Sequence, residues 1–483
     1  MFIGLDLGTS GLRALLVDAA GRTIGDANAN YSVSHPHSGW SEQNPKDWTD
    51  SCIAVMAALK ASYPSDFAKV QGIGMSGHMH GATTLDAEGL VLRPCILWND
   101  TRSHSQAARL DSNPVFRKVT GNIVFPGFTA PKLVWMAQHE PALFEQVDKV
   151  LLPKDYMNFW LTGVAASDMS DSAGTAWLDV GARDWSDTLL DATGMRRDQM
   201  PMLYEGTEGI GTVKPDIAAL LGLPEDVQVV AGGGDNAVAA CGVGAMEDGD
   251  GFVSLGTSGV VLTARDGFAP MAETAVHSFC HAVPAQWYQM GVVLAATDSM
   301  NWLSGITGVT PSELTQALGA TPEPPNDLLF LPYLSGERTP HNDSAVRGGF
   351  LGLDIAHTRN DMTRAVMEGV CYALRDSLEA LRATGAAPKR LLAIGGGTQS
   401  DHWVAMLASI LDLPLDVPAQ GEFGAALGAA RLAICGVTGA DPATIMTKPT
   451  LARTVHPDPS LVEPYAQGYA RYCKGYSAMK ALQ

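Results

Sequence analysis

The sequence lacks the features of a membrane-spanning or secreted protein. No stretch approaches the roughly 18 uninterrupted apolar residues of a transmembrane helix, and the start at Met1 lacks the basic region of a secretory signal. Only seven cysteines occur, an odd number with no Cys-x-x-Cys pair, which argues against a disulfide framework and favours reduced, mostly buried thiols. These absences predict a soluble cytoplasmic protein.

Positive charge is also scarce. The 32 lysines and arginines stand against 51 aspartates and glutamates, and the net charge of −19 disfavours nucleic acid or an anionic membrane as a partner. An anionic small molecule would therefore need local help from main-chain N–H groups in glycine turns, a divalent cation or a few placed basic side chains.

Several well-known site motifs are absent or incomplete. No Gly-x-x-x-x-Gly-Lys-Ser/Thr occurs, which excludes a P-loop nucleotide site. Gly72–Gly77 formally matches the dinucleotide fingerprint, and it is the one feature that favours a nicotinamide dehydrogenase. The residues that follow it do not open an amphipathic helix, which argues against a nicotinamide site there. His277, Cys280 and His281 are close enough in sequence for a metal site, but no second cluster completes four ligands, and ordinary packing is the favoured interpretation.

The chain does contain an internal repeat. Leu7–Gly11 recurs letter for letter as Leu255–Gly259, and each copy joins two β-prone stretches through residues that permit a tight turn. The first copy has a carboxylate, Asp6, two residues before its glycine, whereas the second has Ser254. The repeat predicts two related halves that share a shape but not a charge.

Length leads to the same conclusion about the number of domains. A single core stops growing beyond roughly 250 to 300 residues, so a chain of 483 residues should form two domains. The polar, glycine-rich segment Ala245–Gly251 separates the two copies of the repeat. We therefore expect domains at residues 1–245 and 246–483, closely apposed around a cleft.

Each half also contains a glycine triplet at the end of an apolar run. Val227–Ala231 predicts a buried strand that Gly232–Gly234 interrupts just before Asp235, and Leu391–Ile394 precedes Gly395–Gly397 in the same way. A carboxylate placed there can project into a cleft and accept a proton from a hydroxyl group. Capping of the following helix is the alternative for Asp235, and the residues alone leave both open.

Two helix starts are marked by the sequence. Asn44-Pro45 opens a segment with apolar residues at helical spacing, and proline suits the first helical position because its missing N–H is not needed there. Thr129 is a candidate cap for the segment that contains Lys132 and Trp135.

The duplicated turns are candidate phosphate sites. A glycine-rich turn exposes consecutive N–H donors, and two such turns across a cleft could bind both ends of a polyphosphate, although tight turns also serve folding alone. Asp6 is a candidate Mg²⁺ ligand because this cation prefers oxygen, and an exposed turn-stabilising aspartate is the alternative. His78 and His80, with Trp98–Asp100, suggest a pocket for a polyol or sugar.

Taken together, the motifs resemble a known family. Four short motifs are similar to those of the FGGY family of carbohydrate kinases: Asp6–Thr9, Gly233–Asn236, Gly256–Thr257 and Gly395–Gly397. Two longer stretches, Gly127–Trp135 and Gly348–Glu368, also resemble signatures of that family, and the resemblance runs nearly end to end. It implies an α/β chain with the duplicated actin-like (ribonuclease H-like) ATPase fold, two domains around a central cleft.

Within the family, the chain most resembles bacterial kinases of D-xylulose. Five segments carry this resemblance: Gly77–Gly81, Leu97–Asp100, Leu152–Tyr156, Ser167–Asp171 and Gly336–His341. Glycerol kinases have an Arg-Glu pair where this chain has Met79 and His80, which disfavours glycerol as the substrate. The implied reaction transfers the γ-phosphoryl group of MgATP to O5 of D-xylulose. A kinase of another ketose such as ribulose, or a sugar-independent ATPase of the same fold, is the alternative.

The resemblance also implies residue roles. Asp235 is the implied catalytic base, and Asp6 is implied to be needed for activity near Mg²⁺ and the phosphates. The implied sugar site comprises Met79, His80, Trp98, Asp235 and Asn236. The N-terminal domain would hold the sugar and the base, and the C-terminal domain would bind the nucleotide; whether the chain forms a homodimer is left open. The implied ATP-binding residues are Gly8, Thr9, Ser10, Arg13, Gly256, Thr257, Gly396 and Gly397.

Overall fold

Two seven-stranded sheets, one in each half of the chain, form the centre of the molecule. The computed structural model describes residues 1–419 and 424–482. In the first sheet the hydrogen-bonded order is Gly209–Thr212, Gln228–Val230, Gly72–Gly77, Phe2–Leu7, Gly11–Val17 and Thr23–Asn30, with Gly233–Gly234 also paired to Gly72–Gly77. In the second sheet the order is His277–Cys280, Trp287–Val293, Gly259–Arg265, Gly251–Leu255, Leu391–Ile394, Leu415–Pro418 and Leu451–Val455.

The two sheets repeat one pattern. Each contains an antiparallel hairpin, Phe2–Leu7 with Gly11–Val17 and Gly251–Leu255 with Gly259–Arg265. In each, the first strand of the hairpin also pairs in parallel with a later buried strand. The predicted β–turn–β units of the repeat are thus present in both halves. Our boundary at 245/246 lies between the last strand of the first sheet and the first strand of the second, and it remains a prediction.

Helices pack on both sheets. In the first half they are Pro45–Ser62, Pro64–Phe67, His104–Asp111, Pro114–Thr120, Thr129–His139, Pro141–Phe144, Pro153–Thr162, Met169–Ser172, Asp187–Thr193, Pro215–Leu221 and Asp235–Val243. In the second half they are Thr297–Thr307, Pro311–Gln316, Arg359–Ala383, Asp401–Leu411, Gly424–Thr438, Pro442–Ile445 and Pro459–Lys480. Short 3-10 turns occur at Ala173–Thr175, Arg197–Gln199, Ala272–Thr274 and Gly396–Gln399.

Short two-stranded sheets complete the fold. Their pairs are Glu42–Gln43 with Cys95–Ile96, Thr83–Leu85 with Lys149–Leu151, Ala166–Asp168 with Met202–Tyr204, Leu178–Asp179 with Asp184–Trp185, and Leu329–Leu331 with Gly349–Leu351. Within the described residues, no helix has the length and apolar character needed to cross a bilayer.

One helix of the second half lies on the sheet of the first half. The helix Gly424–Thr438, which we call the crossing helix, packs on strands Phe2–Leu7 and Gly72–Gly77. Glycine permits this close approach, because a Cβ atom at Gly4 or Gly74 would overlap a carbonyl oxygen of the crossing helix. The halves therefore share a core along this helix.

The local predictions met different outcomes. The helix at Pro45–Ser62 is confirmed, and the Asn44 side chain caps it by accepting a hydrogen bond from the Lys46 N–H. The predicted cap at Thr129 is wrong, because Thr129 is the first helical residue and its hydroxyl donates to the carbonyl of His80 instead. Gly72–Gly77 forms a buried strand, so the dinucleotide turn does not exist.

Candidate active site

The candidate site lies where parallel strands of the first sheet end. Asp6 pairs in register with Ser76, and Ser76 pairs in register with Gly233, two residues before Asp235. Since adjacent strands are about 4.8 Å apart, roughly 10 Å separates the backbone of Asp6 from that of Gly233. Open α/β sheets bind ligands at this carboxyl edge of the strands. The topology thus brings both predicted acids to one edge.

Asp235 is the first residue of the helix Asp235–Val243, which we call the Asp235 helix. Gly234 occupies the N-cap position, so Asp235 does not cap the helix. One carboxylate oxygen accepts from the backbone N–H and the side-chain amide of Asn236, at 2.7 and 2.8 Å. Burial, with a smaller contribution from the negative charge of Asp6, raises the pKa of Asp235 to about 6. Burial also raises the pKa of Asp6.

The first glycine turn, Gly8–Ser10, is held by side chains around it. Gly8 N–H donates to the Gly11 carbonyl at 2.9 Å, and the Tyr31 hydroxyl donates to the Gly8 carbonyl at 2.6 Å. Gln43 donates to the carbonyl of Thr9 at 2.6 Å, and the indole N–H of Trp98 donates to the Thr9 hydroxyl at 3.0 Å. Trp98 therefore contacts the turn directly, and its place in the sugar pocket stays a prediction. Arg13 lies on the adjoining strand, opposite Asp6.

The second glycine turn, Gly256–Ser258, lies at the matching place in the second sheet. The Gly256 carbonyl accepts from the backbone N–H of Thr297 at 2.9 Å and from its hydroxyl at 2.8 Å. The glycine triplet Gly395–Gly397 packs against the strand before this turn. A Cβ atom at Gly397 would lie 2.8 Å from the Cβ of Leu255. A side chain at position 397 would therefore displace Leu255, whereas a Cβ atom at Gly396 would have no neighbour within 4 Å.

A large cavity opens beside the triplet. Its volume is about 880 Å³, within the range of small-molecule sites. The residues that line it include Gly396, Gly397, Thr297, Asn301 and Ser400. Gly396 and Gly397, predicted to bind the nucleotide, thus face a space large enough for one.

Met79 and His80 lie beside the glycines that precede Asp235. A Cβ atom at Gly234 would lie 2.9 Å from the Cγ of Met79, so these residues are in contact. The His80 ring stacks on Phe128 with centroids 4.7 Å apart, and its Nδ1 lies 2.7 Å from the Gly174 carbonyl oxygen. Burial lowers the pKa of His80 to about 3, so the ring is neutral near pH 7.

Two side chains that the sequence did not assign lie close to His80. The buried ammonium group of Lys132 donates to the His80 carbonyl at 2.8 Å. From the second half, the Arg338 guanidinium lies 4.7 Å from the Phe125 ring centroid and 3.5 Å from Nε2 of His277. Both residues belong to motifs of the family resemblance, but only the three-dimensional structure brings them beside His80.

Other candidates do not face the site. His78 is 2% exposed and packs edge-on against Trp48, so the suggestion that it binds a polyol is wrong. Among the described residues, His277, Cys280 and His281 do not form a metal-binding group. The His277 ring stacks on Phe279, and the sulfur of Cys280 approaches the carbonyl of Val180. Ordinary packing explains this segment.

Comparisons with known proteins identify the family. The N-terminal domain model of the FGGY family of carbohydrate kinases matches residues 1–242, and the C-terminal domain model matches residues 251–437. The xylulose kinase of Escherichia coli strain K12 is 48% identical over 436 residues, which cover 90% of this chain and 89% of that protein. The xylulose kinase of Klebsiella pneumoniae is 44% identical over 485 residues, covering both chains completely.

A solved structure extends the agreement to three dimensions. The crystal structure of a Brucella ovis enzyme, described as a xyloylose kinase, superposes with a TM-score of 0.98 at 53% identity, covering 100% of this chain and 99% of that chain. The predicted fold, a duplicated actin-like α/β fold with two domains, is confirmed. Matching domains, sequence and fold lead to one conclusion: the chain belongs to the FGGY family of carbohydrate kinases.

Proposed function

We propose that this enzyme is a xylulokinase, which transfers the γ-phosphoryl group of ATP to O5 of D-xylulose. Kinases of this family use ATP, and the xylulose kinases of two species match nearly the whole chain. The observation that carries the proposal is the position of Asp235, which directly follows Gly234, a residue in contact with Met79, at the same sheet edge as the first glycine turn.

Asp235 acts as the general base in this proposal. A carboxylate with a pKa of about 6 is mostly ionised at pH 7 and can still accept a proton from the O5 hydroxyl group. As the bond from O5 to the γ-phosphorus forms and the bond from that phosphorus to the β,γ-bridging oxygen breaks, the O5 proton passes to Asp235. The products are D-xylulose 5-phosphate and ADP.

The glycine turns supply charge stabilisation. The N–H of Gly8 is bonded to the Gly11 carbonyl, so the remaining N–H groups of the turns would donate to phosphate oxygens as negative charge moves during transfer. Phosphoryl transfer depends mainly on positioning and electrostatics. The two glycine turns, one from each sheet, would provide both. Gly8, Thr9, Ser10 and Arg13 would bind on one side, and Gly256 and Thr257 on the other.

A divalent cation fits beside Asp6. The half-buried carboxylate of Asp6 offers the oxygen ligands that Mg²⁺ prefers, and the chain is too anionic overall to neutralise a polyphosphate by itself. When bound there, Mg²⁺ would neutralise phosphate charge. Asp6 would hold the cation, and in the absence of a cation its negative charge contributes to the raised pKa of Asp235.

Sugar recognition would use Met79, which contacts Gly234, and the neighbouring His80. The neutral His80 ring can hydrogen-bond hydroxyl groups without attracting an anion, which suits an uncharged ketose. Asn236, hydrogen-bonded to Asp235, would fix the carboxylate and contact the same sugar. Gly396 and Gly397 would contact the nucleoside end of ATP at the large cavity.

The decisive experiment measures ADP release with a panel of free sugars. We expect rapid, Mg²⁺-dependent release with D-xylulose, weaker release with D-ribulose, and almost none with glycerol. A preference for D-ribulose would make the enzyme a kinase of that ketose. Equal ADP release with and without sugars would instead indicate a sugar-independent ATPase and would refute the proposal.

A further inference from the structure

A buried charged cluster lies behind Asp235. The side chains of Lys154, Asp155, Asp168 and Asp171 are completely buried. The Lys154 ammonium group pairs closely with Asp155 and lies 2.8 Å from Asp168 and 3.9 Å from Asp171. Two of the sequence motifs, Leu152–Tyr156 and Ser167–Asp171, meet here, and the proposed mechanism gives neither of them a role.

The cluster is not a metal centre. Its three carboxylates could surround a cation, but the ammonium group of Lys154 already supplies the positive charge among them. Burial raises the pKa of Asp171 well above its ordinary value, which favours the neutral acid and further reduces the need for a metal. Buried charges of this kind need specific partners, so the geometry of the cluster is tightly fixed.

A chain of hydrogen bonds leads from the cluster to the Asp235 helix. The second carboxylate oxygen of Asp168 accepts from the Ser170 N–H at 2.7 Å and from the Ser170 hydroxyl at 2.5 Å. Because that hydroxyl proton points to Asp168, the oxygen of Ser170 is free to accept, and the N–H of Gly234 donates to it at 3.1 Å. Gly234 is the N-cap of the Asp235 helix and also contacts Met79.

We propose that Ser170 is a positioning residue for phosphoryl transfer, oriented by Asp168 and Lys154. By fixing the Gly234 N–H, it sets the direction in which the next residue, Asp235, presents its carboxylate to the substrate hydroxyl. The inference rests on the proposed function, because it assigns Ser170 a role only through the general base. A displacement of about 1 Å in such a group can cost about 100-fold in rate.

Two serines of one segment allow a matched comparison. Ser170→Ala removes the acceptor for Gly234, whereas Ser172→Ala removes an equally buried hydroxyl that bonds to Ser167 at 2.9 Å. We expect Ser170→Ala to lower kcat with D-xylulose about 10- to 100-fold, with the KM for ATP changed less than about twofold. Ser172→Ala should keep kcat within about twofold of the wild type. Equal kcat values in the two variants would overturn the inference.

A double-mutant cycle separates positioning from a general structural defect. If Ser170 acts through Asp235, then adding Ser170→Ala to Asp235→Asn should lower the residual kcat less than about twofold. A full additional loss in the double variant would overturn the inference. Thermal unfolding checks that each variant is folded, and Ser170→Cys, with its weaker hydrogen bonding, replaces the alanine variant if that one does not fold; it should also lower kcat.

The same assays keep the two proposals apart. Wild-type enzyme that is inactive with every ketose would refute the proposed function and this inference with it. An active wild type with indistinguishable Ser170→Ala and Ser172→Ala variants would refute only the positioning role.

Discussion

At the scale of single residues, the protonation of Asp235, the proposed base, gives a prediction about the reaction rate. Burial and the charge of Asp6 raise its pKa to about 6, and only the ionised carboxylate can act as a base. We therefore expect kcat/KM for D-xylulose to rise with pH through about 6 and to become level above about 7. A pH profile from 5 to 8 with both substrates well below their KM values, which reports the ionisation of the free enzyme, tests this.

The control for this profile is Asp235→Asn. Loss of a general base typically costs about 10² to 10⁴ in rate, so this variant should be slow at every pH and lack the rise near 6. Binding of ATP, measured by calorimetry, should be nearly unchanged. A wild-type profile that is flat between pH 5 and 7 would contradict the role of Asp235.

Lys132 gives a second pH-dependent prediction, which concerns the free energy of unfolding. Burial lowers the pKa of Lys132 to about 7 in the folded protein, whereas an unfolded lysine titrates near 10.4. Between these values the unfolded chain binds more protons, so this lysine makes the free energy of unfolding increase as pH rises. Lys132→Met removes the effect. Relative to wild type, the variant should lose about 2 kcal/mol of stability between pH 7 and pH 9.

Urea unfolding of both proteins at the two pH values measures this difference. Subtracting the variant from the wild type cancels the other titrating groups that the two proteins share. Parallel changes in the two proteins would show that Lys132 stays charged in the folded state.

Two histidines separated by one residue show what the sequence alone cannot resolve. His78 and His80 both looked suitable for binding a polyol, but His78 is buried directly after the strand Gly72–Gly77 and packs on Trp48. His80 has a left-handed backbone conformation, with φ of 72°, and its ring lies against Phe128. The difference depends on tertiary contacts with distant residues, which the spacing of two histidines does not encode.

At the scale of elements, glycine controls how closely two helices approach. The Asp235 helix and the crossing helix touch where Gly428 meets the backbone of Val238, and a Cβ atom at position 428 would overlap that carbonyl oxygen. Backbone cannot rotate away as a side chain can. We expect Gly428→Ala to lower the free energy of unfolding by about 1 to 3 kcal/mol.

Gly305→Ala is the matched control for this prediction. Gly305 also lies inside a helix, Thr297–Thr307, but a Cβ atom there would have no neighbour within 4 Å. Alanine forms helices better than glycine by about 1 kcal/mol, so this variant should be as stable as wild type or slightly more stable. Thermal unfolding of both variants decides, and equal stability of the two would contradict the close contact.

Elements formed by neighbouring residues were predictable, and those that depend on distant partners were not. The duplicated hairpins and the helix at Pro45–Ser62 follow from turn chemistry and apolar spacing in one short stretch. The capping error at Thr129 arose because its hydroxyl has a partner 49 residues earlier in the chain, His80. The position of the crossing helix on the first sheet could not be predicted, since nothing local specifies that partner.

At the scale of the whole molecule, the proposed mechanism requires both halves. The proposed base and the proposed sugar residues belong to the first half, whereas the second glycine turn and the large cavity belong to the second. Water competes with the sugar as phosphoryl acceptor, so the site should close on its substrates. We expect small-angle scattering to show a smaller radius of gyration with D-xylulose and a non-hydrolysable ATP analogue together than with either alone. Identical dimensions in all states would argue against closure.

Arg431 contributes to this connection between the halves. From the crossing helix, its buried guanidinium donates to the carbonyls of Cys241 and Gly242, at the end of the Asp235 helix, and to the carbonyl of Thr447. These bonds satisfy carbonyl groups that a helix end leaves without partners. The element carrying the proposed base is thereby tied to the opposite half of the chain.

The crossing helix has a consequence for how the protein is made. A ribosome releases the strands of the first sheet long before residues 424–438. One face of that sheet therefore stays uncovered until the crossing helix has been synthesised. A fragment ending at residue 245 would expose the same apolar face permanently. Although the two halves repeat one pattern, we expect the first half not to fold stably when it is expressed alone, and the nascent chain completes its native core only near the end of synthesis.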